Sequence, residues 1–268
     1  MSKQKKETLK DRRNNPLYNH GMIWNGNGKL LDWYDEVTGI NFRYAQYNTR
    51  AIEDCPFRSA GCELVCYATK GNHRCPSVKE SRADSYEQSK RADFSESIIY
   101  SIETEKLSKR YKEAVMIVRI HESGDFYSVQ YLRKWVAVFE YFTDKNGVQF
   151  VFYTKSFPFF LMLNNAEAEV INNAMKAGIL SINLSLDDTT SREQKIAYLK
   201  MIARFPLCNT YYCTENVEAV EHDDICECEN CAKCGTCNKA QGKKTVVKIH
   251  SASRSDMEGY RENIMAEG

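Results

Sequence analysis

Strand-like and helix-like segments alternate along most of this chain, and that alternation is the strongest constraint on its fold. Short runs rich in β-branched and aromatic residues stand at 39–48 (GINFRYAQYN), 113–120 (EAVMIVRI), 148–156 (VQFVFYTKS), 179–188 (ILSINLSLDD), 207–213 (LCNTYYC) and 244–251 (KTVVKIHS). Between them, apolar residues recur at helical spacing. In 128–142, Tyr131, Trp135, Val138 and Phe142 share one side, and Ser128 is placed to cap the helix. The stretch 166–178 ends on Gly178, a helix stop, and 191–205 opens with Ser191 and Gln194 in a capping-box pattern. One long helix is expected over about 78–110, with Phe94, Ile98 and Ile102 on its buried face. A repeating βα pattern predicts an α/β fold with a parallel sheet and right-handed crossovers. The expected architecture is a (β/α)6-like partial barrel with a cysteine-rich C-terminal insertion before the last strand. A doubly wound sheet is the alternative. Both place function at the C-terminal ends of the strands.

The expected organisation is a flexible basic arm over 1–20, a barrel-like domain over 21–214 and 244–268, and a metal-binding insertion over 215–243. The arm carries Lys3, Lys5, Lys6, Lys10, Arg12 and Arg13. It reads as a solvated tail first and a nucleic-acid arm second. Net charge is +1, so no global field favours nucleic acid or a membrane. The start has no apolar export segment, and no apolar run is long enough to span a bilayer. The expected location is therefore a cytoplasm.

Composition matters for one residue type. A chain of 268 residues with 43% hydrophobic residues can bury a core without staples, yet it carries 11 cysteines. An odd count in a reducing compartment fits a disulfide framework poorly and points to metal ligation or reactivity. Cys55, Cys62 and Cys66 lie in a loop after the first strand, with Pro56, Ser59 and Gly61 among them. Three thiolates are too few for a closed tetrahedral zinc site. They suit an iron–sulfur cluster with one iron left for another ligand. A denser run follows, with Cys226, Cys228, Cys231, Cys234 and Cys237 among acids, amides and a lysine, which excludes a buried apolar segment. Cys228 to Cys237 repeat Cys-x2-Cys, a ligand pattern for a 4Fe-4S cluster or for zinc. Cys208 reads as a core residue. Cys213, at a strand end, is placed to complete either group.

Polar residues crowd the other strand ends. RIHESGDFYS runs a strand into His121, Glu122, Ser123, Gly124 and Asp125. His121, Asp125 and Lys155 are the candidate acid–base groups. Glu122, Ser123, Gly124, Tyr153, Asp187 and His250 are the candidate cofactor-binding positions. The bland reading is that Asp125 caps a turn and His121 is packed and hydrogen-bonded.

These segments together resemble a bacteriophage family of the gene product 88 type. The shared pattern is Cys-Pro, then Cys-x3-Cys-Tyr-Ala, then His-x-Ser-Gly-Asp-Phe, then a Tyr-Thr-Lys/Arg-Ser strand. A Cys-x2-Cys run and a strand with His follow. Here these are Cys55-Pro56, Cys62 to Ala68, His121 to Phe126, Tyr153 to Ser156, Cys231 to Cys237, and His250. The resemblance covers about residues 40–250 and implies a site in a bacterial host's cytoplasm. A wider similarity is to radical S-adenosylmethionine enzymes, which place a cluster-binding cysteine loop after the first strand of a six-unit partial barrel. That similarity implies S-adenosylmethionine at the first site and a second cluster at Cys226 to Cys237. The superfamily's cysteine spacing is three then two residues, whereas this chain has six then three.

The functional expectation is an iron–sulfur protein carrying one or two clusters and doing redox or radical chemistry on an unknown small-molecule or macromolecular substrate. The rival is a metal-stapled protein that binds nucleic acid or a host protein without catalysis. A third reading is a hydrolase with structural zinc that uses His121 and Asp125.

Overall fold

The computed structural model describes residues 8–18, 20–24, 32–36, 38–108, 111, 113–225, 237, 239, 241–249 and 253–267. In chain order these form α1 (Leu9–Arg13), β1 (Met22–Trp24), β2 (Trp33–Asp35), β3 (Ile40–Tyr47), α2 (Ala60–Leu64), α3 (Pro76–Lys90) and α4 (Phe94–Lys106). Then come β4 (Val115–Ile120), α5 (Val129–Thr143), β5 (Val148–Thr154), α6 (Phe157–Leu161), α7 (Asn165–Lys176) and β6 (Leu180–Asp187). Last are α8 (Arg192–Arg204), β7 (Asn209–Thr214), β8 (Asp224–Ile225), β9 (Lys244–Lys248) and α9 (Arg254–Glu267).

The strands form one mixed, mostly parallel sheet in the order β1-β3-β4-β5-β6-β7-β9-β8. β1 and β2 pair antiparallel with the free edge of β3. From β3 to β9 each parallel strand lies beside the next one in that series, with no reversal of direction across the sheet. Crossovers of one hand between neighbours put the connecting helices on one face.

Burial follows that geometry. Met116, Val118 and Ile120 of β4, Phe150 and Phe152 of β5, and Leu180, Ile182 and Leu184 of β6 face the helices. They pack with Phe94 and Ile98 of α4, Trp135 and Phe139 of α5, and Ile171 of α7 in one cluster. Cys208 is buried in the same cluster, as its sequence context predicts. The opposite face holds a small cluster of Tyr44, Ile117 and Val151, with Trp33 stacked on Phe42 at 5.5 Å. The alternate positions Gln46, Arg119, Tyr153, Ser181, Asn183, Ser185 and Asn209 make the rest of that face polar, through the strict two-residue period of a strand.

Two expectations need correction. The single helix over 78–110 is two helices. Arg91 turns out of helical geometry at φ −60°, ψ 148°, and pairs with Asp93. The buried positions of α3 are Arg82, Ser85 and Ser89, so apolar periodicity begins only at Phe94. The basic arm is not free over residues 8–18. Arg13 forms a two-pronged pair with Glu105 (2.9 and 2.9 Å), Arg12 donates to Thr104 (3.2 Å), and the Tyr18 hydroxyl donates to Glu105 (2.7 Å). Glu105 is fully buried and also holds Arg43 of β3 at 2.7 Å. A buried carboxylate needs such cations, and this one recruits the arm to supply one.

Candidate functional site

Because the central strands are parallel, their C-terminal ends meet on one rim. Loops there carry most of the residues singled out above.

The turn after β4 is knitted to the loop after β3. The Asn48 carboxamide oxygen accepts from the N–H groups of Glu122 (2.8 Å) and Ser123 (3.2 Å). Ser123 donates its hydroxyl to the Thr49 carbonyl (2.9 Å), and Thr49 N–H donates to the Ser123 carbonyl (3.0 Å). Gly124 has φ +82°, and a Cβ there would sit 2.0 Å from Thr49 Oγ1. Ser123 and Gly124 therefore help seat the loop after β3. His121 also has positive φ (62°) and is 4% exposed. Its Nε2 meets the Tyr131 hydroxyl at 3.0 Å, and its ring lies edge-on to Phe126 at 4.7 Å. Burial lowers its pKa to about 3, so the ring is neutral at physiological pH.

Asp125 clamps two strand ends. Its carboxylate accepts from Phe126 N–H (2.7 Å), Thr154 Oγ1 (2.7 Å) and Lys155 N–H (2.9 Å). Burial pushes its pKa up to about 6, against the pull of those donors. Asp125 has the full set of donors its bland reading expects, while His121 is packed but leaves Nδ1 buried without a hydrogen-bond partner.

Lys155 and Asp187 form the polar centre of the rim. Lys155 Nζ lies 2.7 Å from Asp187 Oδ2 and donates to the Ser185 carbonyl at 3.3 Å. Asp187 also accepts from the Ser59 hydroxyl (2.5 Å) and from the N–H (2.9 Å) and hydroxyl (2.7 Å) of Thr189. Burial alone would raise its pKa, yet the Lys155 ammonium and these donors hold it below the carboxylate norm. The same network grips the thiol loop. Ser59 caps α2 by accepting from Cys62 N–H (3.2 Å), and Thr189 Oγ1 accepts from Gly61 N–H (2.8 Å). A cavity of about 270 Å³ opens beside it, with Ser59, Lys155, Phe157, Ser185 and Thr189 on its wall.

The thiols of Cys55, Cys62 and Cys66 are free and half-buried. Burial raises all three, that of Cys62 to about 11, and ionisation of Cys62 or Cys66 would raise Cys55 further. Cations oppose the shift, Lys155 at Cys62 and Arg82 with Lys70 at Cys66. Cys213 stands in register with Asp187 on the neighbouring strand. Burial pushes its thiol to about 12, while Lys155 pulls it down and Asp187 and Cys62 push it up. The rim thus brings Cys213 toward the loop thiols. Among the described residues, no three His, Cys, Asp or Glu side chains converge closely enough to hold a single metal ion.

The other predicted positions scatter. Tyr153 lies on the helix-free face, edge-on to Tyr211 at 4.8 Å, with Arg119 over its ring at 5.1 Å. Glu122 is at the rim, where its carbonyl accepts from the Tyr67 hydroxyl. Cys226, Cys228, Cys231, Cys234 and His250 lie outside the described residues. Sequence reasoning missed Ser59 and Thr189, which join thiol loop to rim, and Asn183 and Asn209. The last two had a signal: in LSINLSLD, 180–187, apolar and polar residues alternate without a break, marking one face as polar.

Among the described residues no helix is long and apolar enough to cross a membrane. The family described as Gene product 88 matches over residues 2–240. The Gene 88 protein of Mycobacterium phage L5 is 27% identical over 209 residues, 72% of this chain and 80% of that protein. The Gene 88 protein of Mycobacterium phage D29 is 26% identical over the same shares. No solved structure matches. The chain belongs to the Gene product 88 family.

Proposed function

We propose that this member of the Gene product 88 family holds an iron–sulfur cluster on Cys55, Cys62 and Cys66, at the rim of a partial barrel, and works as a redox or radical enzyme. The observation that carries the reading is the thiol loop itself, pinned by Ser59 and Gly61 onto a buried Lys155–Asp187 pair at the strand ends. A single zinc needs its sulfurs within about 2.3 Å of one point. A cubane puts each thiolate on its own iron, so its ligands need not meet at one point. Thiolate charge is unfavourable in a half-buried loop, and Lys155, Arg82 and Lys70 are the cations that would offset it. When bound, the cluster supplies one-electron chemistry. The chain's part is to hold the thiols, balance their charge and present the polar helix-free face below them. Neighbour-to-neighbour strand order with helices on one face supports the partial-barrel reading.

Cys213 favours a second reading, in which it becomes a fourth thiolate beside Cys62 and closes the site to S-adenosylmethionine. Anaerobic purification with iron and sulfide analysis tests the first reading, and about four of each per site is expected. A colourless protein with stoichiometric zinc and no sulfide would sink it. Electron paramagnetic resonance of the reduced protein separates the two readings. A spectrum that changes on adding S-adenosylmethionine supports an open iron. A spectrum that changes only with Cys213→Ser supports four thiolates.

A further inference from the structure

Beside the thiol loop lies a second, larger cavity of about 580 Å³. Its wall includes Arg50, Thr69, His73, Lys79 and Arg82. That volume falls in the range of about 300–1,000 Å³ usual for small-molecule sites.

Arg82 is the unusual member. It is 5% exposed, yet its hydrogen bonds go to neutral acceptors, the Ala68 carbonyl (3.0 Å) and His73 Nδ1 (2.6 Å). Among the described residues no carboxylate forms an ion pair with it, and Glu122 acts on it only at longer range. Arg43, equally buried, is paired with Glu105 at 2.7 Å. Buried charges are normally paired, and an unpaired one costs several kcal/mol. The acids on the wall do not answer this need. Glu53 is paired with Arg50 at 2.9 Å, and Glu80 is balanced in charge count by Lys79. Arg50 is further held by Asp54 at 2.7 Å and lies over the Tyr86 ring at 3.8 Å, so the wall is rigid on that side. The cavity thus presents one buried guanidinium, fixed by Ala68 and His73, with no carboxylate paired to it among the described residues.

We propose that this cavity binds a small molecule through an oxyanion, phosphate or carboxylate, received by the Arg82 guanidinium. A guanidinium offers planar paired donors that match two oxygens of such a group. The site shares Arg82 with the metal reading above, where the same guanidinium faces Cys66, but its anion is a separate ligand in the cavity.

Calorimetric titration of the full-length protein with inorganic phosphate, adenosine monophosphate and citrate tests the proposal. Binding of at least one anion is expected, weakened about tenfold or more in Arg82→Lys, which keeps the charge and loses the paired donors. Lys79→Glu, a surface change that leaves the fold alone, is expected to weaken the same anion several-fold. Preference for phosphate and the nucleotide over citrate assigns a phosphate ligand, and the reverse a carboxylate. No binding of any of the three, or equal binding by both variants, overturns the proposal. So does an Arg82→Met protein that changes only in metal content or visible spectrum, because Arg82 would then serve the Cys66 thiolate.

Discussion

His121 shows how a motif residue can be held for packing. Its positive φ is costly for most side chains, and its neutral ring is sealed between Tyr131 and Phe126. A histidine with a folded pKa near 3 and an unfolded value of 6.5 contributes stability that is full above about pH 6.5. That contribution is lost as pH falls toward about 3, by roughly 5 kcal/mol at most. Asp125 has the opposite sign, since its folded pKa of about 6 lies above 3.8 and its contribution fades as pH rises through that window. His121→Asn tolerates the left-handed backbone and removes the imidazole titration. Urea unfolding over a pH series should show the variant gaining on the native chain by a few kcal/mol from pH 6.5 to about 4. A constant gap across that range would refute the buried neutral histidine.

At the scale of elements, the joint between α2 and α9 decides how the thiol loop is held. Gly61 lies against α9, where an added Cβ would come 2.3 Å from the Tyr260 ring and 2.6 Å from Thr189 Oγ1. The Tyr260 hydroxyl in turn bonds Asp188 at the rim (3.2 Å). Gly61→Ala is therefore expected to lower stability by about 2 kcal/mol or more and to loosen α9. Tyr260→Leu in the same chain should restore much of that loss by making room. Thermal unfolding of both variants checks this, and a Gly61→Ala protein as stable as the native one would show that the contact carries no strain. Helix boundaries teach a related lesson. α5, α7 and α8 fall within a few residues of their sequence expectations because capping and apolar spacing agree. The span 78–110 misled because its first half buries polar side chains.

At the scale of the whole molecule, the helix-free face is closed by chain from the C-terminal region. The Cys237 carbonyl accepts from Ser181 Oγ (2.8 Å) and Asn183 Nδ2 (3.1 Å). Asn209 is the hub, donating to the Lys239 carbonyl (2.8 Å) and accepting from Gln241 N–H and Lys243 N–H, both at 3.2 Å. Asn209→Leu leaves those groups unmet at a cost of about 2 kcal/mol. Hydrogen exchange should quicken at Gln241 and Lys243 in this variant while β4 and β5 stay protected. Uniform quickening would mean that Asn209 holds the sheet and not the segment.

The sequence by itself determined the order of six parallel strands and of the amphipathic helices between them, the apolar face of those helices, and the place of the cysteine loop at a strand end. Those follow from periodicity and capping, which are local. Only the tertiary structure decided which groups meet. Lys155 finds Asp187 across 32 residues, Ser59 finds it across 128, and Cys213 stands beside Asp187 through the β6–β7 register. It also decided that Asp125 joins two strand ends and that Arg82 is buried without a carboxylate. Such outcomes depend on how strands align and how loops fold over a rim. No spacing along the chain encodes that, because contacts between distant segments are selected by burial and charge in the assembled core.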